Sequence, residues 1–197
     1  MTPSLSRLNL LHIATMGLWA GMLAMSGVSA ALIFPMMKRL DPALPEFAAY
    51  TGDHWMIAAG MIAARQFSLL AWAESVLALI AVGSLMGLVA STRGGLSHGL
   101  VLRCVAVGGA TAVLLYQSFV LQTRMDGHML AHWNAARAGD NEAALTHKDA
   151  FTADHPLASG LMQARLGLLL AGLAAGVWSL RTGGTRGGSA ESPGAQG

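Results

Sequence analysis

The sequence predicts an all-α fold: an integral membrane four-helix bundle, with an interfacial helix between spans 1 and 2 and an extramembrane extension of span 3. Four long apolar stretches carry that expectation, at about 8–34, 60–90, 100–122 and 157–181. Roughly 20 mostly apolar residues suffice to cross the hydrocarbon core of a bilayer. In lipid a segment has to satisfy its own backbone polar groups, so such spans are helices. Composition agrees: 54% of the 197 residues are hydrophobic and 11% charged, against roughly 25% charged in soluble domains. Spans and short connections use up most of the chain and leave no room for a second, soluble domain.

Arg7 precedes the first stretch, and Val28-Ser29-Ala30 resembles the small-residue cleavage site of a signal peptide. The uncharged run continues to Phe34, too long for a signal core, and is read as a retained helix. Pro35, Pro42 and Pro45 predict an irregular turn after it. From Phe47 the chain is apolar at helical spacing, which predicts the interfacial helix, with Trp55 at headgroup depth and the second span following on. The third span should continue well beyond the membrane through Gln122–Ala138, which lacks proline, and stop at Gly139-Asp140-Asn141. Asp154-His155-Pro156 reads as the start of the fourth helix, with proline in the first turn. The Gly/Ser-rich tail, 182–197, is expected to be disordered.

An even number of spans puts both termini on one side, with the short loop near Thr92–Gly99. That side carries Arg7, Arg93, Arg103, Arg181 and Arg186, with Glu191 as its acid. Lys/Arg in short loops sets orientation, so this side is expected in the cytoplasm and the chain in a bacterial inner membrane. A net charge of +2 and the lack of a basic run interleaved with aromatics exclude a nucleic-acid partner. The single Cys104 excludes an intramolecular disulfide. Walker and dinucleotide fingerprints are missing, and no catalytic residue is assigned.

Ionisable groups inside a bilayer are costly and are candidate sites by default. Glu74 and Arg165 enter their spans from the same side and, at about 1.5 Å per residue, lie roughly 10–12 Å deep. Ser26 and Gln117 come to comparable levels, which predicts a polar layer built on a Glu74–Arg165 ion pair. With no relay of further acids, the pair reads as a staple fixing helix register; the other reading is the coupling site of a small transporter. Gly17 and Gly21, Gly83 and Gly87, and Gly172 and Gly176 each put two glycines on one helix face, where helices can approach closely.

His128 and His132 share a helix face, with Met125 and Met129 beside them and His54 and His155 in the outward segments. Imidazoles are common transition-metal ligands, and thioethers suit Cu(I). Copper is therefore one alternative, and a tetrapyrrole (haem or chlorophyll) held by His12, with His98 as a poorly matched second ligand, is another. Capping or snorkelling is the simpler role for His12. No cofactor is assigned.

Gly17-x-Trp19-x-Gly21 leading to Ala31 and Phe34-Pro35, the break Arg124-Met125-Asp126, and Phe151 through His155 and Ser159 resemble a family of small bacterial four-helix membrane proteins of unknown function, of the transmembrane protein 205 type. The likeness covers roughly Leu8 to Leu180. It departs from the family in the spacing of His155 and Ser159, four apart rather than three, with Pro156 between. The first span is also faintly similar to copper-resistance membrane proteins of the CopD type. The resemblance implies the four-helix fold and no established chemistry. The chain is therefore expected to be a non-enzymatic accessory or scaffolding subunit of a larger membrane complex, in contact with the lipid bilayer and with other membrane protein subunits.

Overall fold

The computed structural model describes residues 3–92 and 95–184, with side chains described for 5–92 and 95–179. The described residues are almost wholly helical. They form α1 (Pro3–Leu40), α2 (His54–Ala90), α3 (His98–Tyr116), α4 (Gln122–Ala138) and α5 (Asn141–Gly184). A π-helical segment, Gln117–Leu121, joins α3 to α4 in one continuous rod, so four rods make the bundle. α1 packs chiefly on α2 and α3 on α5, while α1 with α5 and α2 with α3 close the square.

Each rod is long and apolar enough to cross a membrane, with 36 to 41 described residues. At about 1.5 Å per residue that is well over the roughly 30 Å of hydrocarbon, so each also extends beyond it. Trp72, Leu79, Phe119 and Trp178 are 70–76% exposed. A contiguous apolar surface of that kind is a liability in water and the required surface in lipid. The bilayer is the environment these helices fit.

The core is one cluster running the length of the bundle, with Met16, Trp19 and Leu23 of α1 against Leu77, Ala81 and Leu85 of α2, Val107 and Leu114 of α3, and Leu169 of α5. A satellite cluster sits at one end. There Phe47, fully buried, packs with Ile57, Ala136 and Ala144. Thr51 donates from its backbone N–H and its hydroxyl to Asn141 Oδ1 (2.8 and 3.1 Å), and the Arg137 guanidinium lies 4.9 Å over the Phe47 ring. The 41–53 connection is thus clamped onto the α4–α5 tip.

Four boundaries differ from expectation. α1 does not stop at Pro35 but runs through it to Leu40, ending where Asp41 takes a positive φ of 41°. No separate interfacial helix forms. Pro45–Phe47 makes a single 3-10 turn, and the helix expected at Trp55 is the first turns of α2, continuous with the span. Trp55 lies under Lys38 Nζ, 5.7 Å from the ring centroid. α5 starts at Asn141, not at Asp154, and passes through Pro156. Asp140 caps it by accepting from the Ala143 N–H at 3.0 Å. Its first third pairs with α4, and a bidentate Arg124–Asp154 contact at 2.5 and 2.6 Å staples the two. Helix-forming side chains and that pairing outweigh the one hydrogen bond each proline removes. The stop at Gly139 is as expected, with φ +77°, a conformation that glycine adopts without steric cost. Of the expected disordered tail, residues 182–184 are helical and the rest, with Arg186 and Glu191, lies outside the described residues, as does Arg93.

Candidate functional site: a buried ion pair on a lateral cleft

Glu74 of α2 and Arg165 of α5 meet as the depth argument predicts. Arg165 Nη2 lies 3.1 Å from Glu74 Oε2, with both side chains 2% exposed. The other carboxylate oxygen accepts from the Trp19 indole N–H of α1 at 2.8 Å. Both Glu74 oxygens are therefore taken, and three helices share one polar node. A buried carboxylate needs such partners, because an ion in low dielectric without them costs several kcal/mol. Trp19 did not stand out as a partner in the sequence. Its signal was its position: tryptophan is enriched at interfaces, and one in mid-span has to find an acceptor for its N–H.

The expected polar layer is only partly assembled. Gln117 comes to the level of the pair, bordering the same cleft, with Oε1 buried and unpartnered among the described residues. Ser26 does not. Its carbonyl accepts from Gln66 Nε2 at 3.2 Å, and Gln66 Oε1 accepts from Ser29 Oγ at 2.9 Å. The register of the antiparallel helices explains this. Trp19 faces Glu74 and Ser26 faces Gln66, so Ser26 lies about 10 Å further along the bundle.

A second polar node was missed. Arg103, assigned by sequence to the cytoplasmic flank, is 4% exposed within the bundle. It donates to Asn9 Oδ1 at 2.6 Å and, through its other terminal nitrogen, to Ser179 Oγ. Nearby His12 is fully buried, with Nδ1 3.0 Å from Ser84 Oγ and 3.2 Å from the Ala81 carbonyl. His12 lines neither of the cavities below, its Nε2 has no partner among the described residues, and His98 is an exposed residue at the start of α3. The ring is a packed, hydrogen-bonded part of the α1–α2 interface.

The outward histidines do not converge. Both His54 nitrogens are engaged in the 41–53 connection, one accepting from the Leu44 N–H at 3.1 Å and the other 3.2 Å from the Tyr50 carbonyl. His132 donates to the Ala144 carbonyl at 2.8 Å. His128 faces His147, with Nδ1 atoms 3.4 Å apart, and His155 faces Ser159 Oγ at 3.3 Å. Among the described residues no three His, Cys, Asp or Glu side chains come together as a metal site. His155–Ser159 is an i,i+4 contact on a helix whose backbone N–H groups are bonded internally, so it lacks the donors that stabilise an oxyanion.

Half of the expected glycine contacts hold. A Cβ on Gly172 would come 2.9 Å from Ala106 Cβ, one on Gly176 2.9 Å from Ile13, and one on Gly87 2.8 Å from Leu8. Gly17 reaches Leu173 only at 4.0 Å, while Gly21 and Gly83 face open space. Gly109 was not foreseen; a Cβ there would lie 3.2 Å from Leu168.

Two cavities lie near the ion pair, which itself borders only the second. A chamber of about 720 Å³ lies between all four rods, with Gly27 and Phe34 of α1, Met56 of α2, Met129 of α4, and His155 and Met162 of α5 in its walls. A lateral cleft of about 450 Å³ opens between α2 and the α3–π–α4 rod, bordered by Trp72, Glu74, Gln117, Phe119, Asp126 and Arg165. Phe67, Gln117, Gln122 and Met162 border both cavities and form the partition between them. Comparison with protein-family models, curated proteins and solved structures finds no match for this chain.

Proposed function

We propose that this chain is a non-enzymatic accessory protein of the bacterial inner membrane, with both termini in the cytoplasm, that holds an apolar guest in the four-helix chamber on behalf of partner subunits. One observation carries the reading. A cavity of about 720 Å³ is of the size that accommodates drug-sized molecules, and a mostly apolar lining with a few polar groups is what such sites have. Its polar groups, among them Gln122, Lys148, His155 and Gln163, stand among methionine, phenylalanine and small residues. The ion pair beside it, with both carboxylate oxygens taken, supports a staple more than a transport site.

Purification from native membranes in mild detergent, with mass measurement and analysis of extracted lipids, tests this. The expected result is a guest at near-stoichiometric yield in a particle containing partner chains. Gly27→Phe fills the chamber from a position where a Cβ meets nothing within 4 Å, and should remove the guest without lowering the thermal midpoint. A bare chain of 20.4 kDa whose lipid content Gly27→Phe leaves unchanged would sink the proposal.

The same walls support a second reading. Met56, Met125, Met129 and Met162, with His132 and His155, border one chamber, and thioethers and imidazoles are ligands for Cu(I). Calorimetric titration with Cu(I) that shows no binding tighter than micromolar ends that reading.

A further inference from the structure

The lateral cleft holds polar groups that the fold leaves without partners. Arg165 is 2% exposed and gives one terminal nitrogen to Glu74, while Nε and Nη1 have no partner among the described residues. Gln117 Oε1 is equally buried and unpartnered, at the first residue of the π segment. An unpaired buried donor or acceptor costs about 1–3 kcal/mol, and each one in a native structure calls for an explanation. Single π turns within α-helices are themselves frequent at functional sites.

The surroundings define what would answer these groups. Phe67, Trp72 and Phe119 border the cleft, and flat rings pack on such side chains in offset or edge-to-face geometry. Trp72 and Phe119 are 76% and 74% exposed, on the surface that faces acyl chains, so the cleft is entered from lipid. Its acidic and basic side chains are Arg165, Glu74 and Asp126, with Asp126 accepting from Gln122 Nε2 at 2.7 Å. Two acidic side chains beside one guanidinium, itself already paired with Glu74, offer no net positive charge to an anionic head. The required head is neutral, with an oxygen acceptor for Arg165.

We propose that the cleft binds the ring of a neutral, oxygen-bearing, lipid-soluble molecule of the quinone–quinol class, with its tail running out between α2 and α3 into the bilayer. The inference stands independently of the chamber, because the guanidinium, Trp72, Phe119 and the lipid-side mouth belong to the cleft alone. A ring carbonyl accepts from Arg165, and in the quinol form a hydroxyl can also donate to Gln117.

The test is titration of the purified full chain in detergent with decylubiquinone, read by tryptophan fluorescence. Saturable quenching near one equivalent is expected, with most of its amplitude lost in Trp72→Phe. Gln117→Leu should weaken binding at least tenfold while leaving the thermal midpoint unchanged or raised, since it removes an unpaired buried polar atom. Phe119→Ala, on the exposed rim and away from the ion pair, should weaken binding in a protein that folds as the parent does. Gly27→Phe should bind as the parent does. Any of four results overturns the proposal: quenching that never saturates, saturable binding of oleic acid without binding of the quinone, affinity unchanged in both cleft variants, or loss of binding in Gly27→Phe.

Discussion

Glu74 and Arg165 coexist in the bundle because each answers the other and Trp19 takes the second carboxylate oxygen. Glu74→Gln leaves the guanidinium buried and unbalanced, and breaking such a pair costs about 3–5 kcal/mol. A marked fall of the thermal midpoint in detergent is therefore expected. An unchanged midpoint would show that the pair does not hold the fold. Charged residues in an apolar run announce themselves, so this pair was legible in the sequence. Trp19 and His12 were harder, because a tryptophan or histidine there reads equally as filler until its neighbours are known. His132 allows a pH prediction. Burial, the main cause, pushes its pKa below the usual value, with smaller contributions from the neighbouring Lys148 and His147. A lowered folded-state pKa means that the unfolded chain binds the proton more readily. Its contribution to stability is thus intact above about pH 6.5 and is lost as the pH falls through the folded-state value. Melting curves from pH 7.5 to 5 should show this decline, and His132→Gln should flatten it.

At the scale of elements, proline misled and glycine gave half an answer. Pro35 and Pro156 were read as boundaries, yet α1 and α5 run through both. A proline forbids one hydrogen bond, whereas a boundary also needs flanking residues that prefer another conformation. Thr152 to Ser159 has no such preference, and α4 holds that stretch in place. Pro156→Ala should restore a donor and raise stability in detergent, by up to about 3 kcal/mol. A lower midpoint instead would mean that the packing of α5 depends on a proline-shaped bend. Glycine spacing names a helix face but not what lies opposite. Gly172 and Gly176 meet α1 and α3 closely, while Gly21 and Gly83 face outward from the bundle. The π segment at Gln117–Leu121 left no mark in the sequence, since its residues are ordinary helix residues at a place where tertiary packing inserts one extra.

For the whole molecule, four antiparallel rods put Pro3, Ala90, His98 and Gly184 on one face, and the 41–53 and Gly139–Asp140 connections on the other. In a Cys104→Ala background, Thr51→Cys should react with an impermeant thiol reagent on intact spheroplasts, and Ser6→Cys only after lysis. The reverse pattern would invert the proposed orientation. Hydropathy and length alone determined that the described residues form four helical rods long and apolar enough to cross a membrane, because the cost of unsatisfied backbone in lipid leaves so little choice. The intramembrane charges were determined in the same way, since so few residues of that type can be placed there. Tertiary structure decided everything that depends on which faces meet. Antiparallel register moved Ser26 out of the polar layer, helix approach buried Arg103, and the packing of the four rods left the chamber and the cleft. A one-dimensional pattern fixes how deep a side chain lies, but the rotation of each helix about its own axis is set by packing with its neighbours.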